Sequence, residues 1–334
     1  MAGVSRIVAG HVLLGSGGKT TRVGRATADR VRVAAQELGY RPNQAARQLK
    51  GARSQTIGVM IGSRTNQVLY DRLQAIEREA FERGYRLMVG YVHQLDQYDD
   101  YLNDFQVRGI DGLILLHDVG EELPASVRDH LACLKHVVYQ DFGPTPTAAC
   151  VRVDRADGIR QAVRHLLSRG RRRIGLALTN ATRPQMIDRQ RGFAEELAAQ
   201  GLPLLPERVW CAGSPNHPLA PAEESARAEQ ALAEFILPQR LDAVIVGNDV
   251  WAVHLLKALQ RRQIRVPDDL AIVGFDNLDL GLAVTPELTT VDQENAVVAY
   301  HLVTLVVNGI EGRPGPADPG PVLVKPRLVI RQTT

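Results

Sequence analysis

Asp141, Asn248, Asp249 and Asp276 each stand just past a short apolar run, at 136–140, 242–247 and 270–275. If those runs are parallel strands, the four positions line the crevice at the strands' carboxyl ends, where doubly wound sheets bind ligands. Carboxylates accept hydrogen bonds and an amide both donates and accepts. Arg189, inside an amphipathic stretch, adds a donating fork. Such a set suits a polyhydroxylated ring, and burying it unpaired would be costly. Tyr70 and Trp251 are candidate stacking faces. Capping of the following helix is the competing role for Asp249, and core packing the competing role for Trp251. A catalytic set does not emerge. The nine His fall at no metal-ligand spacing, no GxSxG elbow occurs, and Ser5, Ser63 and Ser168 have no base placed beside them by sequence logic. Gly15-Ser16-Gly17-Gly18-Lys19-Thr20 looks like a phosphate loop, but Leu13 occupies the position where the motif needs its first glycine. The expectation is a binding protein: no enzyme, no cofactor and no metal site.

The elements that would position these groups alternate from residue 56 onward. Apolar runs at 56–61, 86–92, 112–116, 136–139, 173–178, 242–246 and 270–275 are separated by amphipathic segments at 69–83, 97–108, 157–169, 188–200, 223–236 and 250–262. Runs without polar alternation imply strands covered on both faces, and strand–helix–strand order implies parallel sheets. About ten strands exceed one comfortable sheet, so the α/β body is expected to form two doubly wound parallel-sheet subdomains side by side.

Ahead of that body the charge changes sign. Residues 1–55 carry ten Lys/Arg against only Asp29 and Glu37, a net +8 in a chain whose total is +3, so the remainder is −5. A basic N-terminal module on an acidic body is the asymmetry of nucleic-acid binding. Within it, the glycine turn and Ser5 cap of Ala2-Gly3-Val4-Ser5 precede Val8, Val12 and Leu13, as at the start of the second helix of a helix-turn-helix. A further helix runs through Arg30, Val31, Val33, Ala34, Ala35 and Leu38 to Gly39 and Pro42, and Asn43 caps a short stretch from Gln44 to Leu49. The three cysteines are odd in number, widely spaced and without CxxC, as in a reducing cytosol. No signal-peptide pattern and no membrane-length apolar run is visible, so a cytoplasmic protein is expected.

The segment Glu37-Leu38-Gly39-Tyr40-Arg41-Pro42-Asn43, followed by Ala46, Arg47 and Leu49, resembles the lactose-repressor (LacI/GalR) family of transcription regulators. The likeness continues in order through Asp111-Gly112-Leu113-Ile114-Leu115, Arg189-Gln190-Arg191-Gly192-Phe193, Asn248-Asp249, Gly274-Phe275-Asp276 and Thr285-Pro286-Glu287-Leu288-Thr289-Thr290-Val291-Asp292-Gln293. It implies a small all-α helix-turn-helix domain at 1–43, whose first helix has no counterpart here, and a hinge helix and linker at 44–55. A two-lobed, periplasmic-binding-protein-like effector and dimerisation domain follows at 56–334. Its first lobe would span about 56–155 and 293–313, and its second about 156–290 and 318–334. Carried over residue by residue, Ser5, Arg6, Ile7, His11, Asn43, Ala46, Arg47 and Leu49 would contact DNA, with Leu49 as a minor-groove wedge. Asn66, Tyr70, Asp141, Arg189, Asn248, Asp249, Trp251, Asp276 and Gln293 would face a small, sugar-like effector. The implied partners are double-stranded operator DNA, that effector and a second copy of the chain, with no membrane. A cytoplasmic sensor that has lost DNA binding is the alternative. Gly10 and His11 stand where the family usually has Ser-Arg, Gln67 replaces the usual proline, and Asn277 replaces the second aspartate of GFDD.

Overall fold

The computed structural model describes residues 2–14, 23–40, 51–62, 67–94, 97–116, 123–141, 148–179, 183–213, 220–314 and 320–334. The expectations for Asn43, Ala46, Arg47, Leu49 and Asn66 lie outside the described residues.

Two helices open the chain, α1 (Arg6–Leu14) and α2 (Arg25–Glu37). Ser5 starts α1, its Oγ accepting from the Val8 N–H at 3.3 Å. Gly39, at φ +62°, ends α2: the Gly39 and Tyr40 amides bond back to Gln36 and Ala35. A left-handed residue is needed there to turn the chain back on its last carbonyls, and glycine adopts it without a side-chain clash.

The body is built from two six-stranded sheets. The first contains β1 (Thr56–Gly62), β2 (Arg86–Val92), β3 (Gly112–Leu116), β4 (Val137–Gln140), β5 (Cys150–Val153) and β11 (Val322–Val324), in the order β11-β5-β4-β3-β1-β2. The second contains β6 (Ile174–Leu178), β7 (Val209–Cys211), β8 (Ala243–Val246), β9 (Ala271–Phe275), β10 (Thr289–Asp292) and β12 (Arg327–Val329), in the order β12-β10-β9-β8-β6-β7. Every pairing is parallel except β10 with β12. Helices α3 (Gln67–Glu82), α4 (Gln97–Val107), α5 (Ala125–Cys133) and α10 (Asn295–Glu311) cover the first sheet. Helices α6 (Arg155–Ser168), α7 (Pro184–Ala199), α8 (Pro221–Ala231) and α9 (Asp249–Arg261) cover the second.

Strands β3, β6, β8 and β9 are buried along their whole length, because each side chain meets a helical layer on one face or the other. Ile57, Val59, Ile61 and Ile114 pack with Leu302, Val303 and Val306 of α10, while Met60, Leu113 and Leu115 on the opposite face meet Leu102, Phe105 and Leu131. The second sheet repeats the arrangement with Ile245 and Val273 facing α6 and α7, and Val244 and Ile272 facing α8 and α9. Gly192 explains the RxxGF stretch: a side chain there would collide with the Ala156 backbone, so glycine lets α7 lie directly on α6.

The chain passes between the sheets three times, after β5, after β10 and after β11. The last crossing corrects the expectation that 318–334 belongs wholly to the second lobe. Val322–Val324 pairs with Val151–Val153 in the first sheet. Pro326, lacking an N–H, stands where the chain then leaves that sheet for β12.

Candidate functional site

Eight side chains converge where the crossings meet the carboxyl ends of β4 and β9. Asp141 ends β4 with φ +68°, and Asp276 ends β9 with φ +122°. Non-glycine residues hold such backbone only where their surroundings fix it, and such strain concentrates at functional sites.

Asp141 is buried and paired fork-to-fork with Arg155, the first residue of α6, through two bonds of 2.8 Å. Burial alone would raise the Asp141 carboxyl. The Arg155 fork, with nearby Arg72 and a 3.1 Å bond from Gln140 Nε2, outweighs burial and holds it below its ordinary value. The pair joins the first sheet to the first helix of the second lobe.

Asp276 has the opposite character. It accepts from Gln293 Nε2 at 2.7 Å, and burial pushes its carboxyl up to about 7 against the pull of Arg189. Gln293 lies on the second crossing, so this bond also spans the lobes. Arg189 lies 3.9 Å above the Phe275 ring and donates to the Gly247 carbonyl at 2.5 Å. Across the crossings, Arg152 of β5 reaches Asp188 of α7 at 3.2 Å.

Four members of this constellation escaped the sequence reading: Arg72, Gln140, Arg155 and Asn295. Arg72 had a legible signal. It occupies a core-facing position of the stripe Val68, Arg72, Ala75, Ile76 on α3, where a charge is out of place, and it is 1 % exposed. Its Nε and Nη2 both donate to Asn295 Oδ1, at 3.0 and 2.7 Å. Burial lowers its guanidinium to about 10; Asp141 and Asp276 oppose that, and Arg155 adds to it.

The expected ligand contacts of Trp251 and Asp249 are corrected. Trp251 is 1 % exposed and packs 5.7 Å from Trp210 in the second lobe's apolar core, because the third residue of α9 faces α8 rather than the strand ends. Asp249 is spent within the second lobe, accepting from Thr290 Oγ1 at 2.6 Å and the Leu278 amide at 2.8 Å. Burial raises it to about 6 despite those bonds. It clamps the turn that carries Asp276, and Gly274 must be glycine because a side chain there would strike the Asp249 carboxylate. Asn248 is the N-cap of α9, its Oδ1 accepting from the Trp251 amide at 2.8 Å, so only its Nδ2 donors remain for a ligand. Tyr70 is exposed, 6.4 Å from Tyr91.

On the basic module, Arg6 and Ile7 are exposed side by side at the start of α1, with Ile7 73 % exposed. His11 is half-buried one turn further on, and its Nδ1 has no hydrogen-bond partner among the described residues.

A family model described as "Periplasmic binding protein-like domain" matches residues 163–334. The HTH-type transcriptional repressor CytR of Escherichia coli (strain K12) is 29 % identical over 316 residues, 94 % of this chain and 89 % of that protein. The Lac repressor dimer bound to operator and the anti-inducer ONPF superposes with a TM-score of 0.82 at 23 % identity, covering 99 % of this chain and 96 % of that one. The transcription regulator GntR from Chromobacterium violaceum gives 0.70 at 28 % identity over 83 % of this chain and 98 % of that one. With its two-lobed body, its crossing-point constellation and its basic helical module, the chain belongs to the lactose-repressor family of regulators built on a periplasmic-binding-protein-like domain.

Proposed function

We infer that this protein is a DNA-binding transcriptional repressor whose operator affinity is set by a small, sugar-like effector held between its two lobes. The observation that carries the reading is the joining of two unlike parts in one chain: a basic helical pair that exposes Arg6 and Ile7, and a body that gathers buried polar side chains at its interlobe crossings. Arg6 suits the N7 and O6 acceptors of guanine, and Ile7 suits a thymine methyl. The surrounding basic residues neutralise phosphates and make binding salt-dependent. Leu49 serves as the wedge that kinks the operator at its dyad.

At the interlobe site Asp141, Arg189, Asp276 and Gln293, with Arg72, Gln140 and Asn248, supply acceptors and donors for hydroxyl groups. Effector binding biases the closure of the lobes, and with it the spacing of the two DNA-reading modules in a dimer. The protein is not an enzyme; it works in the cytoplasm.

Selection from a randomised duplex pool, followed by fluorescence anisotropy on the enriched site, tests this. A two-fold-related site is expected, with Arg6→Ala weakening it by about 1–3 kcal/mol. A pool that never enriches, or an enriched site that Arg6→Ala binds as tightly as the parent, contradicts the reading.

A further inference from the structure

The charges at the interlobe crossings are unevenly paired. Arg72, Arg155 and Arg189 lie within electrostatic reach of Asp141 and Asp276, and Asp249, bonded within the second lobe, lies within reach of Asp276. Both Asp141 oxygens accept from the Arg155 fork, and Oδ2 also accepts from Gln140, so the direct hydrogen bonds of that carboxylate go to residues other than Arg72. Arg72 is the outlier. Among the described residues its hydrogen bonds go to a single amide oxygen, that of Asn295, and it makes no ion pair. An amide oxygen satisfies two N–H groups but supplies no counter-charge, and an uncompensated buried cation is costly. The lowered guanidinium and the raised Asp276 carboxyl reflect the same desolvation, and a protonated Asp276 would remove one of the two carboxylates that offset Arg72 at a distance.

The second observation concerns acceptors. Gln140 and Gln293 are each at most 5 % exposed, each spends its NH2 on a neighbouring aspartate, and neither Oε1 has a hydrogen-bond partner among the described residues. Two buried acceptors beside an uncompensated cation call for a ligand that donates hydroxyl protons and brings negative charge.

We propose that the effector is an anion: a hydroxyl-bearing metabolite whose carboxylate or phosphate sits against Arg72 while its hydroxyls bond Gln140, Gln293 and Asp276. This rests on the effector-binding reading above and narrows it. A purely neutral sugar would leave the Arg72 charge uncompensated. The Arg72–Asn295 contact ties α3 to the start of α10 at the second crossing, so an anion drawn to Arg72 acts on the joint between the lobes.

The test is calorimetric titration of the full chain with a matched panel: D-glucuronate, D-galacturonate and D-gluconate as carboxylates, glucose 6-phosphate and galactose 6-phosphate as phosphates, and D-glucose and D-galactose as neutral parents. The tightest binder is expected among the acids or the phosphates, and whichever of those two arms wins identifies the anionic group. Arg72→Met is expected to weaken that binder by about 30-fold or more, as loss of one partner of a buried charge pair does. Arg72→Lys, which keeps the charge, restores most of the affinity; a role confined to bracing Asn295 would not sort the variants by ligand charge. A neutral sugar as the tightest binder, or an acid bound equally by wild type and Arg72→Met, overturns the proposal. A neutral binder that still alters operator affinity would leave the repressor reading standing. Silence from the whole panel overturns the proposal as well, and the operator selection then judges the repressor reading separately.

Discussion

The basic module and the two-lobed body are held together by very different amounts of core. Among the described residues of the module's two helices Val31 is the one buried side chain, whereas the body buries four complete strands and two full helical layers around each sheet. Stability grows with apolar surface removed from water. The body therefore folds on its own contacts, while the two helices of the module have little core of their own. The body is the part that can store a ligand signal, and the module is the part that can be repositioned by one.

Several substitutions sharpen that contrast. The largest effect is expected for Asp141→Asn, which leaves Arg155 buried without its counter-charge: about 3–5 kcal/mol lost from the body in urea unfolding. A loss under about 1 kcal/mol would mean that the pair is solvated and does not brace the crossing. Ile245→Ala, in the centre of β8, should cost about 2–5 kcal/mol in the same assay. Val31→Ala should remove about 1.5 kcal/mol from the module alone, at about 0.8 per buried methylene-sized group. Body melting is then unchanged and operator affinity falls; a matching drop in body stability would erase the distinction between the two regions.

A further effect is a change of pH profile. The Asp276 carboxyl is raised from the ordinary 3.8 to about 7, so the folded state holds its proton more tightly than the unfolded chain does. Stability from this group is complete below about pH 4 and declines as pH rises toward 7, since the folded state there binds more protons than the unfolded state. Asp276→Asn cannot titrate and should flatten the melting temperature between pH 4 and 7. Asp141 has the opposite sign: its contribution is present above its unfolded value and is lost as pH falls through its lower folded value. A wild-type slope that survives in Asp276→Asn would assign the titration elsewhere.

The parts of the fold legible in the sequence follow the same division. Strands at 56–62, 86–92, 112–116, 174–178, 243–246 and 271–275 stand out because strands covered on both faces are written as unbroken apolar runs. The strands beside the crossings carry no such signal: Cys150–Val153, Thr289–Asp292 and Val322–Val324 span three or four residues, too short for a period to declare itself, and the first two mix in Arg, Thr and Asp. In the site, Asp141 and Asp276 were legible because polar groups past strand ends have a topological meaning. Asp249 and Trp251 were misread because the first turn of a helix is also where capping, clamping and packing compete. The partnership of Arg72 with Asn295 joins positions 223 apart in the chain, which no local pattern records, although a charge in the apolar stripe of α3 singles out Arg72 itself.

Coupling between the two regions is measured most directly by a pair of titrations: operator binding with and without the tightest ligand from the panel, and ligand binding with and without operator. Linkage requires the two affinity ratios to be equal. The account predicts one common factor of at least about fivefold, the lower end of ordinary allosteric coupling. Ratios of one in both directions would show that the ligand site and the DNA-reading module do not communicate.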